Sequence, residues 1–196
     1  MQENLLLASA SPRRSEILST LGFEFEILPA DVDEDEIIWN DPSDGAMLLA
    51  ELKAVASQVH RPRKTVIGAD TIVLCGGRRM GKPGDEEEAA GMLEELSGGK
   101  HQVITGVALL YPPNTRILEV ESTDVYFREL ERSEISRYVM TGEPMDKAGA
   151  YAIQGHAGVF VERIEGCFFN VVGLPVPRLF AMFRSLERSI GRDEGA

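Results

Sequence analysis

Short apolar runs alternate along this chain with longer stretches in which apolar residues recur every three or four positions. The apolar runs predict strands, at residues 4–8, 23–29, 65–74, 101–111 and 117–128. The stretches with helical spacing predict helices, at residues 12–21, 42–59, 86–97, 133–141 and 175–190. Residues 143–155 follow neither period and predict a loop with a short helical piece, whereas 158–164 and 167–172 predict a hairpin. Because helices alternate with strands and some strands pair as hairpins, we expect an α/β fold with a mixed sheet flanked by helices.

Length and charge narrow the possible classes of protein. The chain has 196 residues, enough for a single domain, which we expect at residues 1–190 as two lobes around a central cleft. Residues 191–196 are expected to form a frayed tail. With 20 Lys+Arg against 32 Asp+Glu, the net charge of −12 argues against a nucleic-acid partner.

The apolar runs also bear on location. None approaches the roughly 20 residues that a membrane-spanning helix needs. Glu3 stands where a secretory signal would carry basic residues, so we expect a cytoplasmic protein with no membrane partner. Cys75 and Cys167 are far apart and fit no zinc-ligand spacing, so we expect two buried free thiols.

The segment Ser9–Arg14 (SASPRR) joins a predicted strand end to a helix start. Ser11 is placed to cap that helix, and Pro12 to occupy its first position. Two hydroxyls, two guanidinium groups and free backbone N–H groups would then face one point, which suits a phosphate chain. The structural alternative is a capped helix with two solvated arginines.

Asp70 lies inside an otherwise apolar predicted strand, two residues after Gly68 and next to Thr71. A partly desolvated carboxylate in such a run is suited to accept a proton from water. Two structural alternatives stay open. The carboxylate is exposed at a bulge made by Gly68, or it pairs with a lysine.

Three lysines stand in settings unlike an ordinary solvated surface. Lys53 lies at the edge of an apolar helical stripe, Lys82 in a Gly-Lys-Pro loop, and Lys147 in a segment rich in Gly and Ala. Each alone is most simply a surface lysine, but together they offer a positive site for a polyanion. Residues 76–82 match G-x-x-x-x-G-K, yet Pro83 replaces the hydroxyl that would hold magnesium, and the two glycines fit a hairpin turn better than a phosphate loop.

The acidic run at residues 31–36 is most simply a solvated loop, although one carboxylate there is suited to a magnesium ion that bridges phosphates. The three histidines share no metal-ligand spacing, and no nucleophile elbow supports a Ser/His/Asp site.

Several of these segments, in this order, resemble the Maf family of nucleotide pyrophosphatases, whose fold is similar to that of the inosine triphosphatases. The matching segments cover almost the whole chain: LLLASASPRRSEIL (5–18), DVDE (31–34), LAELKA (49–54), VIGADTIV (66–73), GKP (81–83), SGGKHQVITG (97–106) and EPMDKAGAYAIQG (143–155). Family members with ADT and IQG resemble the dTTP/UTP pyrophosphatase subfamily, and Thr71 and Gln154 stand at those positions. The 7-methyl-GTP subfamily carries a different pair.

The resemblance implies an enzyme that hydrolyses dTTP and UTP, with Mg²⁺ or Mn²⁺, to the nucleoside monophosphate and pyrophosphate. It implies that Asp70 accepts the proton and that Asp70 and Glu34 bind the metal. Base preference is assigned to Arg13, Thr71 and Gln154. Phosphate contacts are assigned to Ser9, Ser11, Arg14, Lys53, Lys82 and Lys147.

Other functions stay open at this level. One is a nucleotide-binding regulator of cell division without turnover, because members of this family have been linked to septum formation. Another is a pyrophosphatase that prefers 7-methyl-GTP or modified purine triphosphates. Family members often form homodimers, and Leu179, Phe180 and Phe183 on the last predicted helix suit either a dimer interface or the core.

Overall fold

The computed structural model describes residues 4–30, 32, 37 and 39–193, with side chains described up to residue 191. Glu34, the other acidic residues of the run at 31–36 and the end of the predicted tail lie outside the described residues.

Within the described residues, seven strands form one mixed sheet. They are β1 (Leu5–Leu7), β2 (Phe25–Ile27), β3 (Thr65–Cys75), β4 (Arg78–Met80), β5 (Lys100–Tyr111), β6 (Thr115–Phe127) and β7 (Val161–Glu165). The strand order is β2-β1-β3-β5-β6-β7, and β4 pairs with β3. β1 pairs in parallel with β2 and β3, whereas the β3/β4 and β6/β7 pairs are antiparallel. The predicted α/β fold with a mixed sheet is confirmed.

The helices occur where the spacing of apolar residues predicts them, apart from one addition near the end of the chain. They are α1 (Pro12–Thr20), α2 (Pro42–His60), α3 (Glu86–Leu96), α4 (Arg132–Val139), α5 (Phe168–Val172) and α6 (Val176–Asp193). Short 3₁₀ helices occupy Glu143–Asp146, Ala148–Ala150 and His156–Phe160. α1 and α2 supply the crossovers that parallel pairing of β1 with β2 and β3 requires.

Capping residues begin the first three helices where the sequence predicts. Asp41 Oδ1 accepts a hydrogen bond from the N–H of Ser43 at 2.8 Å, and Asp85 Oδ1 accepts one from the N–H of Glu88 at 2.8 Å. Ser11 holds the capping position of α1, but its side chain makes no capping hydrogen bond. The Ser11 hydroxyl therefore does not stabilise the start of α1 through a hydrogen bond.

The predicted second strand at residues 167–172 is wrong, because this segment forms α5 and β7 pairs with β6 instead. Asn170 is fully buried, and its side-chain amide donates to Val103 O and to Thr123 Oγ1, both at 2.9 Å. The N–H of Cys167 donates to Thr123 Oγ1 at 3.0 Å. These buried contacts fix a helical turn and override the strand propensity of the Phe and Val residues.

The predictions for the turn at residues 76–77 and for the two cysteines have different outcomes. Gly76 and Gly77, with φ of +56° and +81°, connect β3 to β4, so the predicted hairpin turn is confirmed. Cys75 and Cys167 are free thiols as expected, but both are half-buried rather than buried. In the part of the chain that the structure describes, no helix is long and apolar enough to cross a membrane.

The chain divides into two compact units. Unit 1 comprises Met1–Asp70, Thr105–Glu121 and Gly173–Ala196, and unit 2 comprises Thr71–Ile104 and Ser122–Val172. One hydrophobic cluster of unit 1 uses small and branched residues of β1, α2, β3 and β5: Leu6, Ala8, Ala50, Ala54, Val66, Ala108 and Leu110. The core of unit 2 packs larger side chains, among them Met92, Leu93, Phe127, Tyr138 and Phe160. Each unit has its own buried cluster, and the extent of a single domain over residues 1–190 stays a prediction.

Candidate active site

Asp70 is the last residue of unit 1 and lies in the middle of β3. It is only 5% exposed, and β3 continues through Gly68 from Thr65 to Cys75. The alternative that Asp70 is exposed at a bulge is therefore wrong. A carboxylate at this depth needs a compensating partner, because burying an unpaired charge is costly.

Lys53 of α2 supplies that partner. Its Nζ lies 2.6 Å from Asp70 Oδ1, and the two side chains are 14% and 8% exposed. The pairing of Asp70 with a lysine, left open by the sequence, is confirmed. The ammonium group of Lys53 supplies the partner that a carboxylate at this depth requires.

The close approach of α2 to the sheet explains how Lys53 reaches Asp70. A Cβ on Gly68 would overlap the carbonyl oxygen of Ala50 and lie 2.8 Å from the Cβ of Ala54. A Cβ on Gly106 would likewise overlap the backbone of Ala46 in the same helix. Sequence reasoning missed this function of the two glycines, although a glycine inside a buried strand is a signal of close backbone approach.

The second oxygen of Asp70 is orphaned. Oδ2 is buried and has no hydrogen-bond partner among the described residues. A carboxylate oxygen is a preferred ligand of Mg²⁺ and Mn²⁺, so this atom fits a divalent cation. In the described ranges no group of three or more His, Cys, Asp or Glu side chains is placed to hold a metal ion.

Ser9 and Arg14 lie together in unit 1. Arg14 Nη1 donates to Ser9 Oγ at 2.9 Å, and Arg14 Nε donates to the carbonyl of Gly173 at 2.7 Å. Ser9 Oγ also accepts from the N–H of Ser11 at 3.3 Å. Both Ser9 and Arg14 are buried, whereas Arg13 is half-buried, so the picture of two solvated arginines is wrong.

In unit 2 the loops that carry Lys82 and Lys147 lie side by side. The N–H of Gly149 donates to the carbonyl of Gly81 at 3.0 Å, which joins the two segments. Lys82 is exposed. The Lys147 side chain is 12% exposed, and its ammonium group donates to the backbone carbonyl of Glu143 at 3.1 Å and to the carboxylate of Asp146.

Two of the remaining predicted residues, Thr71 and Gln154, belong to unit 2. Thr71 follows Asp70 in β3 and is half-buried. Gln154 is exposed in a turn between two 3₁₀ helices. Glu34 lies outside the described residues. The structure thus brings together Ser9 with Arg14, Lys53 with Asp70, and the loops of Lys82 and Lys147.

Comparison with known proteins tests the family resemblance. Residues 4–186 match the family model described as Maf-like protein. The chain belongs to the Maf family. Among Maf relatives, the dTTP/UTP pyrophosphatase of Geobacillus sp. (strain WCH70) is 52% identical over 176 residues, covering 90% of this chain and 94% of that protein. The dTTP/UTP pyrophosphatase of Aquifex aeolicus (strain VF5) is 46% identical over 187 residues, covering 95% and 97%.

Two solved structures outside this set of Maf relatives show more distant likeness. A nucleoside-triphosphatase, dITP/XTP pyrophosphatase, from Mycobacterium abscessus is 17% identical, with a TM-score of 0.39 over 63% of this chain and 72% of that one. The Staphylococcus aureus Ham1 protein is 15% identical, with a TM-score of 0.40 over 63% and 71%.

Proposed function

We propose that this chain hydrolyses dTTP and UTP to the nucleoside monophosphate and pyrophosphate. The observation that carries the proposal is the buried Asp70 carboxylate, paired with Lys53 inside β3. The names of the Maf relatives support the reaction and the substrates.

In this reaction, a water oxygen bonds to the α-phosphorus while the bond from that phosphorus to the bridging oxygen breaks. Pyrophosphate leaves with the bridging oxygen, and Asp70 accepts the proton of the attacking water. The position of Asp70 on a strand rather than a loop keeps the acceptor oxygen fixed relative to the attacking water. Lys53 holds the other oxygen of the carboxylate, because its Nζ lies 2.6 Å from Asp70 Oδ1.

Cationic and hydroxyl groups are assigned to the triphosphate. Ser9, Ser11 and Arg14 at the start of α1 suit phosphate oxygens, since hydroxyls, a guanidinium group and helix N–H groups all donate. Lys53, together with Lys82 and Lys147, adds positive charge that stabilises the leaving pyrophosphate.

Asp70 Oδ2 and Glu34 are the carboxylate oxygens that we assign to a divalent cation, Mg²⁺ or Mn²⁺. When bound, such a cation neutralises charge on the phosphate oxygens and polarises them. The orphaned Oδ2 supports this assignment. Base preference is assigned to Arg13, Thr71 and Gln154, whose donors and acceptors suit the polar edge of a pyrimidine.

The test is pyrophosphate release from dTTP, UTP, CTP, ITP and 7-methyl-GTP, with Mg²⁺ or Mn²⁺, by the wild type and by Asp70→Asn. Asparagine keeps an acceptor for Lys53 but is a poor base, so we expect turnover to fall about 10²–10⁴-fold with nucleotide binding retained. In ¹⁸O-labelled water, the label should enter the monophosphate rather than pyrophosphate.

Asp124→Asn is the matched control. Asp124 is also a strand carboxylate paired with a lysine, Lys100, at 2.9 Å. We expect this variant to keep wild-type turnover. Near-full activity of Asp70→Asn would refute the assigned base. Tight nucleotide binding by the wild type without any pyrophosphate release would favour the regulator, and turnover of 7-methyl-GTP alone would reassign the substrate.

A further inference from the structure

Gln154 lies in a short turn rather than in a strand or helix. The N–H of Gly155 donates to the carbonyl of Ala152 at 3.0 Å, and the N–H of Gly158 donates to the carbonyl of Gly155 at 3.0 Å. The side chain of Gln154 is exposed. A residue that reads a base edge needs a fixed backbone, so the turn requires support from its surroundings.

Glu143 supplies this support. Its Oε2 accepts a hydrogen bond from the N–H of His156 at 3.1 Å and lies 2.7 Å from His156 Nδ1. The carboxylate also lies in the space that a side chain on Gly155 would need, because a Cβ at that residue would overlap Oε1. Glu143 therefore holds the backbone of the two residues that follow Gln154.

The carboxylate of Glu143 is itself held in place. The buried hydroxyl of Tyr138 in α4 donates to Oε1 at 3.0 Å, and the Glu143 side chain is 17% exposed. Burial tends to raise the pKa of Glu143, but the hydrogen bonds from His156 and Tyr138 outweigh it, and the pKa is lowered overall. The carboxylate is thus ionised at neutral pH and accepts from both sides at once.

The backbone of Glu143 contacts Lys147, one of the residues assigned to the phosphates. Its carbonyl accepts from Lys147 Nζ at 3.1 Å. Glu143 therefore contacts one residue assigned to the phosphates through its carbonyl, and the turn of Gln154 through its carboxylate.

We propose that Glu143 is a positioning residue for base selection, which fixes the turn of Gln154 so that its amide meets the pyrimidine edge. This inference rests on the proposed function, because it takes Gln154 as the residue that reads the base. Glu143 touches neither substrate nor reacting atoms in this role. It acts through the backbone of Gly155 and His156.

The test compares Glu143→Ala, Glu143→Asp and Glu143→Gln with the wild type. Glu143→Ala and Glu143→Asp should each lower kcat/KM for dTTP about 10²-fold, mainly through KM, since a misplaced contact residue has effects of this size. The preference for dTTP over 7-methyl-GTP should fall about tenfold. Glu143→Gln keeps an oxygen that can accept from the His156 N–H, so most of both losses should be restored.

Amide hydrogen exchange gives a readout that is independent of activity. In the nucleotide-free protein, protection of the His156 N–H should fall at least about tenfold in Glu143→Ala and Glu143→Asp, and should return in Glu143→Gln. Glu143→Asp removes only one methylene, so this variant tests the same contact if Glu143→Ala does not fold.

Glu134→Ala is the matched control for a merely structural effect. Glu134 also accepts from a backbone N–H, that of Glu131, and pairs with Arg128, and its side chain is 22% exposed. It should lower the melting temperature without changing the base preference. The inference is overturned if Glu143→Asp and Glu143→Ala keep the wild-type base preference or the wild-type protection of His156. If the wild type releases no pyrophosphate at all, the proposed function fails, while the exchange experiment still tests the support of the turn.

Discussion

Acidification should destabilise this protein through one histidine, His101 at the start of β5. The ring is 2% exposed and packs edge-to-face against Phe127 and Tyr151, with centroids 5.0 and 5.3 Å away. Nε2 lies 2.8 Å from the Tyr151 hydroxyl, and Nδ1 has no hydrogen-bond partner among the described residues. Burial lowers the pKa of His101 from 6.5 to about 4, against a smaller opposing effect of Asp124. The folded protein therefore holds this ring neutral.

The sign and size of the effect follow from the two pKa values. Between pH 6.5 and 4, His101 is mostly protonated in the unfolded chain and mostly neutral in the folded chain. The contribution of the neutral His101 ring to the free energy of unfolding is fully present above pH 6.5 and is lost as the pH falls towards 4. The full loss is about 3 kcal/mol, since one pKa unit is worth about 1.36 kcal/mol, and about 2 kcal/mol of it should be lost by pH 5.

The assay is urea unfolding at pH 7, 6 and 5, followed by circular dichroism, for the wild type and His101→Gln. A glutamine amide stays neutral over this range, so the variant should lose about 2 kcal/mol less than the wild type between pH 7 and 5, whatever its stability at pH 7. Hydrogen bonds from Arg128 and from the N–H of Glu131 lower the pKa of Glu134 to about 2, so its contribution is lost only below about pH 4.5. Equal losses in the two proteins would refute the assignment to His101.

Two further predictions concern backbone approach and capping. Gly68→Ala should destabilise the protein by about 1–3 kcal/mol, because the new Cβ overlaps the Ala50 carbonyl. Gly91→Ala, in the open interior of α3, should stabilise it by about 1 kcal/mol. Thermal unfolding of both variants measures these changes, and a Gly68→Ala variant as stable as the wild type would contradict the close approach. Asp41→Ala should cost about 1 kcal/mol of stability at unchanged turnover, whereas Ser11→Ala, which removes no capping bond, should keep its stability and lose triphosphate turnover. A stability loss in Ser11→Ala without a loss of turnover would withdraw Ser11 from the phosphate contacts.

Most of the fold could be predicted because local signals agreed with the tertiary structure. Pro12, Asp41 and Asp85 mark helix starts by backbone chemistry that acts within one turn. The wrong prediction of a strand at α5 has a non-local cause. Its conformation depends on Asn170 bonding to residues far away in sequence, which no local pattern reveals.

One contact of the candidate site, the pairing of Asp70 with a lysine, could be predicted as an alternative from the sequence. A charge inside an apolar run marks Asp70, because burial of a charge is costly. Its partner Lys53 could not be chosen from among the lysines without the helix in place. The contacts of Glu143 could not be predicted, because an acidic residue in a polar loop is usually solvated. The position of its carboxylate depends on Gly155, which has no Cβ to occupy that space.

The contact between Glu143 and Gly155 has a consequence for redesign of base preference. A library that varies position 154 alone would present new side chains from one unchanged backbone, and so would sample only contacts reachable from that point. Any larger residue at 155 would expel the carboxylate and release the turn. Under the proposed role of Gln154, changes of substrate are therefore expected to require paired substitutions at 143 and 155, and directed evolution that mutates one residue at a time should seldom reach them.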